Sequence, residues 1–273
     1  MTNQKVVLVT GASSGIGEAT AERLAKAGYK VYGTSRRGTQ AGKQSFDMIA
    51  LDVTSDESVV AAVQEVMRLE GRIDLLVNNA GFSVAPGGAE ESSIGQAQSI
   101  FDTNFFGIVR MTRAAVPHMR SAGGGRIINI GSVLGFVPMP YGALYAATKH
   151  AIEGYSESLD HELRIWGIRV SVIEPAYIKT PFNAHFLEPD AKLDAYREVR
   201  AAVKMRVNEV METAEEADTV AETVLKAASA AHPKLRYTPA GLASQLRLLP
   251  RFAPTDLFDA AIRKDLRLDT PTA

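Results

Sequence analysis

Tyr145 and Lys149 stand four residues apart in a stretch, 143–166, whose apolar spacing predicts a helix, so their side chains share one face. A phenol with a pKa of about 10 is a poor base at neutral pH, but a neighbouring ammonium favours the phenolate and draws it toward the working range. The pair can then move a proton as a unit. Ser132 ends the apolar run Asn129-Ile130-Gly131-Ser132, and open α/β sheets hold their ligands at the carboxyl ends of strands. A hydroxyl there can hydrogen-bond a substrate oxygen. Taken alone, Tyr-x3-Lys also describes an ordinary surface contact.

A second group of residues suits a phosphate. Thr10-Gly11-Ala12-Ser13-Ser14-Gly15-Ile16-Gly17 follows the apolar Val6-Val7-Leu8-Val9 and opens a helical stretch that stops near Gly28. Glycines let backbone N–H groups approach a pyrophosphate, and the helix N-terminus adds its positive dipole end. The spacing, Gly-x3-Gly-x-Gly, meets the G-x-G-x-x-G fingerprint only approximately, and a plain strand-to-helix turn would use the same glycines. After the second strand, where an NAD site places an acid, stand Arg36 and Arg37. A guanidinium takes a 2′-phosphate bidentately, with Ser13 placed to help, so NADP(H) is favoured and NAD(H) is the alternative. Two arginines equally suit a solvated loop. Asp52, beside Val53 at the end of the third strand, either accepts from an adenine amino group or closes the turn before the next helix.

The elements that must position these groups alternate along the chain. Strand-like runs at 5–10, 30–35, 47–52, 73–77, 126–131, 168–174 and 234–238 are separated by helix-length segments. That order predicts a single α/β domain of Rossmann type: a doubly wound parallel sheet of about seven strands with helices on both faces. Gly123-Gly124-Gly125 falls between a helix and a strand and reads as a turn rather than a linker. No repeat, low-complexity tract or Pro-rich linker divides the chain. Two segments break the alternation. One, 182–212, is charged and helix-prone and is expected to be a lid over the ligand crevice. The other, 239–273, interleaves Leu242, Leu246, Leu257 and Ile262 with Arg247, Arg263, Lys264 and Arg267. It reads as a lipid-surface segment, a flap over an apolar substrate, or a tail packed on its own domain.

Composition narrows the classes. The 273 residues carry 30 Lys and Arg against 31 Asp and Glu, leaving no field to draw in nucleic acid. There is no cysteine, which removes thiolate nucleophiles, disulfides and cysteine metal sites together. His118, His150, His161, His185 and His232 lack metal-ligand spacing, so no metal is expected. No apolar run approaches the roughly 18–20 residues of a membrane span, and the amino terminus runs straight into strand-like sequence. A cytoplasmic protein, at most peripheral to a membrane, is expected.

With Asn78-Asn79-Ala80-Gly81 after the fourth strand and Asn104 on the helix that follows, five motifs stand in order over 5–182. In that order and spacing the chain resembles the short-chain dehydrogenase/reductase family. The carboxyl-terminal pattern and Ile173-Glu174-Pro175 look like its 17β-hydroxysteroid and retinol dehydrogenase branch. The resemblance implies a proton relay of Asn104, Ser132, Tyr145 and Lys149. It places Asn79 and the backbone near Ala80 and Gly81 against the adenosine side of the cofactor. Where the family has a Pro-Gly pair against nicotinamide, this chain has Pro175-Ala176, with Ile178 and Thr180 in the matching places. The implied activity is an NADP(H)-dependent carbonyl reductase or alcohol dehydrogenase acting on a bulky apolar alcohol, ketone or aldehyde, in a homodimer or homotetramer. A cofactor-binding sensor is the reading from another class. Ile152, Tyr155, Leu159, Leu163 and Trp166 form a helical stripe that suits either core packing or a subunit interface.

Overall fold

The computed structural model describes residues 4–38, 44–182, 186–252 and 254–268, with 240 and 248–252 described by backbone alone. Residues 183–185 of the expected lid, with His185, and 253 and 269–273 of the extension lie outside the described residues.

Val6–Val9 (β1) is apolar throughout and buried throughout, as a strand covered on both faces must be. The side chains alternate: Val6 and Leu8 enter one core, Val7 and Val9 the other. From β1 the chain passes through α1 (Gly15–Lys26) to β2 (Lys30–Ser35) and then to β3 (Asp47–Ala50). It continues through α2 (Asp56–Glu70) into β4 (Leu75–Asn78), which returns to the other side of β1. Next come α3 (Ile94–Phe101), a π-helical turn Asp102–Phe106, α4 (Gly107–Ser121) and β5 (Gly125–Ile130). They are followed by α5 (Ala143–Leu163) and β6 (Ile168–Ile173). The short β7 (Ile178–Lys179), α6 (Arg197–Glu212), β8 (Glu215–Glu216) and α7 (Ala217–Ser229) precede β9 (Arg236–Tyr237), α8 (Ala240–Phe252) and α9 (Thr255–Asp265).

Seven strands form one sheet in the order β3-β2-β1-β4-β5-β6-β9, every pairing parallel. The strand order reverses between β1 and β4, and the carboxyl ends on either side of that switch point form the natural ligand crevice. On one face α2, α4 and α5 bury Val63, Met111 and Leu159; on the other α1 and α7 bury Leu24 and Val224. The expected seven runs each contain a strand; β2 keeps the expected bounds and the others differ by one or two residues at an end. The pair β7–β8 is too short to leave a sequence signal.

Helix α5 carries the Tyr-Lys pair and is fixed at its far end by an acid. Asp160, fully buried, accepts from the Val170 backbone N–H at 2.9 Å and from Arg164 and Arg169. Burial would raise its pKa, but Arg169, the Val170 N–H and Arg164 together overcome that and bring it down to about 2. The stripe on α5 is core at Ile152, Leu159 and Leu163, whereas Trp166 departs from it: the indole is 46% exposed, with the Arg120 guanidinium 5.3 Å from its ring centre. At the glycine triplet, Gly124 has φ +151° and a Cβ there would lie 2.9 Å from the Gly167 carbonyl, so only glycine fits this turn.

Candidate active site

Gly11 and Gly15 both adopt positive φ (+65° and +59°), and a Cβ on Gly17 would meet the Gly11 carbonyl at 2.2 Å. The three glycines let β1 turn into α1 within a bare backbone loop. Ser14, at the N-cap of α1 between Ser13 and Ile16, makes no side-chain capping bond, so its hydroxyl does not occupy the first-turn N–H groups. The donor set and the open backbone fit a pyrophosphate. Thr180 lies over the loop, its Cβ 3.2 Å from where a Cβ on Gly15 would be. Ile178, buried in β7, and Thr180 are thus carried by one segment to the phosphate side of the crevice.

Asn79 braces this loop. Its amide donates at 3.0 Å to the carbonyls of Thr10 and Gly11, while Thr10 Oγ1 accepts from the N–H groups of Asn79 and Ala80. Gly81 sits where a Cβ would approach Asn104 Oδ1 at 3.0 Å, so the segment after β4 joins the loop to the catalytic side. Asp52 closes its turn: Oδ1 accepts from Thr54 N–H at 2.9 Å and from the Thr54 hydroxyl at 2.7 Å, which lowers the Asp52 pKa. The helix cap is Ser55, which accepts from Ser58 N–H. Val53 is buried beside Asp52, and Arg36 and Arg37 stand exposed just past β2, at the end of the crevice where a ribose would lie.

At the other end of the crevice, Ser132 follows β5 and caps a short 3₁₀ turn, Val133–Gly135, accepting from Leu134 N–H at 3.1 Å. Its hydroxyl donates to the Pro175 carbonyl at 3.4 Å, so the segments after β5 and β6 hold each other. Lys149 reaches from α5 to the end of β5 and donates to the Ile130 carbonyl at 2.8 Å, its ammonium 5.4 Å from the Tyr145 ring centre. Burial lowers Lys149 to about 8, against the opposing pull of Glu153, and pushes the Tyr145 phenol up. The expected downward pull on the phenol is therefore outweighed by desolvation. Asn104 occupies the π turn; its Oδ1 accepts from Phe82 N–H at 3.0 Å and its amide donates to the Phe82 carbonyl and to Thr148 Oγ1. Thr148 in turn donates to the Tyr145 carbonyl at 2.7 Å, linking Asn104 to the helix that carries the phenol. Ala176 is not among the residues with positive φ, so the methyl in place of the family glycine sits on ordinary backbone.

Sequence reasoning missed what lies behind and in front of these groups. Behind Lys149, one helical turn on, Glu153 is buried with Oε1 unpartnered and Oε2 held by Arg236 at 2.9 Å. Beside it Glu174 is fully buried. Burial, and then the charge of Glu153, raises Glu174 to about 8 despite Arg247 and Arg236. The i,i+4 step from Lys149 made Glu153 findable; the pairing with Glu174 leaves no local signal. In front, Phe182 lies 6.1 Å from the Tyr145 ring and 5.4 Å from Phe186, a run of aromatic faces beside the phenol.

The pattern of the family described as short chain dehydrogenase matches residues 5–191. The chain belongs to the short-chain dehydrogenase/reductase family. It is 43% identical over 181 residues to a 3-ketodihydrosphingosine reductase of Bacteroides thetaiotaomicron, a match covering 66% of each protein. It is 35% identical to human retinol dehydrogenase 16 over 94% of this chain and 87% of that one, which puts it near the retinol dehydrogenase-like branch. Among solved structures, a short-chain dehydrogenase from Streptomyces avermitilis superposes over 100% of both chains with TM-score 0.80 at 31% identity. Similar structures hold either nicotinamide cofactor. A 3-ketoacyl-(acyl-carrier-protein) reductase from Brucella melitensis is complexed with NADH (29% identity, TM-score 0.74, 88% of this chain and 98% of that one). ElxO is bound to NADP (26% identity, TM-score 0.73, 89% and 99%). Among the described residues no helix is long and apolar enough to cross a membrane.

Proposed function

We propose that the protein is an NADP(H)-dependent carbonyl reductase or alcohol dehydrogenase in which Tyr145 exchanges the proton at the substrate oxygen. The observation that carries this reading is the crevice itself: Ser132, Tyr145 and Lys149 gather at the end of β5, in line with a glycine loop whose helix N-terminus is uncapped. A bound nicotinamide would supply or accept the hydride. Ser132 holds the substrate oxygen, and the desolvated phenol, neutral at working pH, donates to it. Lys149 orients the cofactor ribose and supports the tyrosine with positive charge, while Asn104 fixes the helix carrying both. Arg36 and Arg37 face the ribose end and suit a 2′-phosphate.

The aromatic run Tyr145, Phe182 and Phe186 supports a bulky apolar substrate, with 186–212 as its cover. Two of the relatives are named for 3-ketodihydrosphingosine and for retinol, both long apolar bodies bearing one reacting oxygen. The test is NADPH oxidation against all-trans-retinal, a long-chain 3-ketone and a 17-ketosteroid. Tyr145→Phe is expected to lower kcat by about 10²- to 10⁴-fold while NADPH affinity stays within about twofold. Full turnover in Tyr145→Phe would take the phenol out of the reaction.

A further inference from the structure

Among the described residues, Arg247 of the C-terminal extension reaches the segments that frame the catalytic centre. Arg247, on α8, pairs with the buried carboxylate of Glu174 and lays its guanidinium 5.0 Å from the centre of the Phe136 ring. These two contacts fall on the two chain segments that frame Ser132. Glu174 immediately precedes Pro175, whose carbonyl accepts from Ser132 Oγ at 3.4 Å and from Val133 N–H at 2.9 Å. Phe136 directly follows the 3₁₀ turn that Ser132 caps, and its N–H donates to the Val133 carbonyl at 3.1 Å. One guanidinium therefore spans from the strand end that holds the serine hydroxyl to the turn that the serine begins.

The charges around it make the span exacting. Glu174 and Glu153 are buried against each other as an interacting carboxyl pair, and among the described residues Glu174 pairs with Arg247 and, at 3.6 Å, with Arg236. Arg236 is already shared with Glu153 at 2.9 Å and Glu157 at 3.0 Å. Arg247 is thus the nearer of the two cations on Glu174, although its charge is also felt by Glu153. Its guanidinium also presents a flat face to the Phe136 ring, an attraction that a point charge reproduces only in part.

We propose that Arg247 is a positioning residue for the catalytic centre: by joining Glu174 to Phe136 it fixes the orientation of Ser132, making the extension part of the active site. The inference rests on the reading of Ser132 and Tyr145 given above. A displacement of about 1 Å at a reacting group can cost roughly a hundredfold in rate, so a loosened Ser132 should appear in kcat before it appears in cofactor binding.

The test uses the full chain with three changes: Arg247→Met, Arg247→Lys, and Arg247→Met combined with Glu174→Gln, which replaces the buried carboxyl left without its arginine by a neutral amide. Hydrogen exchange of the amides of 133–137 is read without cofactor. Melting temperature, NADPH affinity, and kcat with the fastest-reacting member of the carbonyl panel are read alongside. In Arg247→Met those amides should exchange at least about tenfold faster. kcat should fall by about ten- to a hundredfold, NADPH affinity should hold within about twofold, and Arg247→Lys should recover part of both losses. The double variant should regain melting temperature but not kcat. Unchanged exchange in Arg247→Met overturns the inference, as does a double variant in which kcat returns together with stability. If exchange behaves as expected but wild type reduces no carbonyl, or Tyr145→Phe keeps full turnover, the catalytic reading fails and Arg247 is only a structural clamp.

Discussion

A buried ammonium and the half-buried phenol beside it are governed first by the loss of hydration. Burial lowers Lys149 to about 8 and raises Tyr145, which leaves a cation beside a neutral acid below that pH. The pair was legible in the sequence because i and i+4 share a helix face. The direction of the phenol's shift was not, because spacing records neighbours but not the depth at which they are buried. The nucleotide end shows the same division. Positive φ at Gly11 and Gly15 matches what the glycine spacing demanded, whereas the bonds by which the Asn79 amide holds the loop left no signal in the spacing. Cofactor choice is argued at Arg36, exposed past β2. Arg36→Asp should remove a charge-assisted hydrogen bond and supply the acceptor that an NAD ribose uses. Such a bond is worth about 1.5–3 kcal/mol, so the ratio of kcat/KM for NADP(H) over NAD(H) should fall by roughly ten- to a hundredfold. Arg37 beside it holds the effect toward the lower figure. A ratio unchanged in the variant would show that Arg36 makes no contact with the 2′-phosphate.

At the scale of elements, the seven strands were readable because each is an apolar run closed by turn residues, and β2 falls where the pattern put it, at Lys30–Ser35. Ends were blurred where a polar residue closes a strand, as at Thr10, whose N–H still donates to the Val77 carbonyl while its hydroxyl accepts from the N–H groups of Asn79 and Ala80. The π turn at Asn104 was not readable, since one extra residue in a helix disturbs apolar periodicity too little to be seen. Asp160 also looked like an ordinary charged position on α5. Its burial comes from β6 laying Arg169 and the Val170 N–H against it, contacts set by the sheet and not by the helix. Asp160→Asn would leave both arginines without a counter-charge and weaken the acceptor for Val170. Breaking a buried pair costs about 3–5 kcal/mol, and because Arg164 and Arg169 can turn toward water, a loss of about 2–3 kcal/mol is expected. Urea unfolding of both proteins measures it, and a loss below about 0.5 kcal/mol would place that ion cluster among those that contribute nothing.

On the scale of the whole molecule, the late segments are laced to the sheet through acids. Glu91, fully buried, accepts from Leu193 N–H at 2.7 Å and pairs with Arg200 of α6, drawing that segment over the loop after β4. Arg206 of α6 bonds Asp265 at 2.6 Å and Glu209 bonds Arg267 at 2.8 Å, which packs the extension against α6. These contacts join residues tens of positions apart, so composition alone could not foresee them. The innermost acid, Glu174, gives the molecule a pH signature. Its folded pKa is raised from 4.5 to about 8, by burial first and by the charge of Glu153 second. Between those values the folded Glu153–Glu174 pair keeps a proton that the unfolded chain has released. The stability Glu174 contributes is therefore complete below about pH 4.5 and is lost as pH rises through about 8. Glutamine at that position cannot titrate. The Tm of wild type minus that of Glu174→Gln should accordingly fall steadily from pH 5 to about pH 8.5 and then level off, with scans at low and high salt agreeing because the group is buried. A difference that stays constant across that range would mean that Glu174 is ionised throughout, held by Arg247 and Arg236 more strongly than burial opposes.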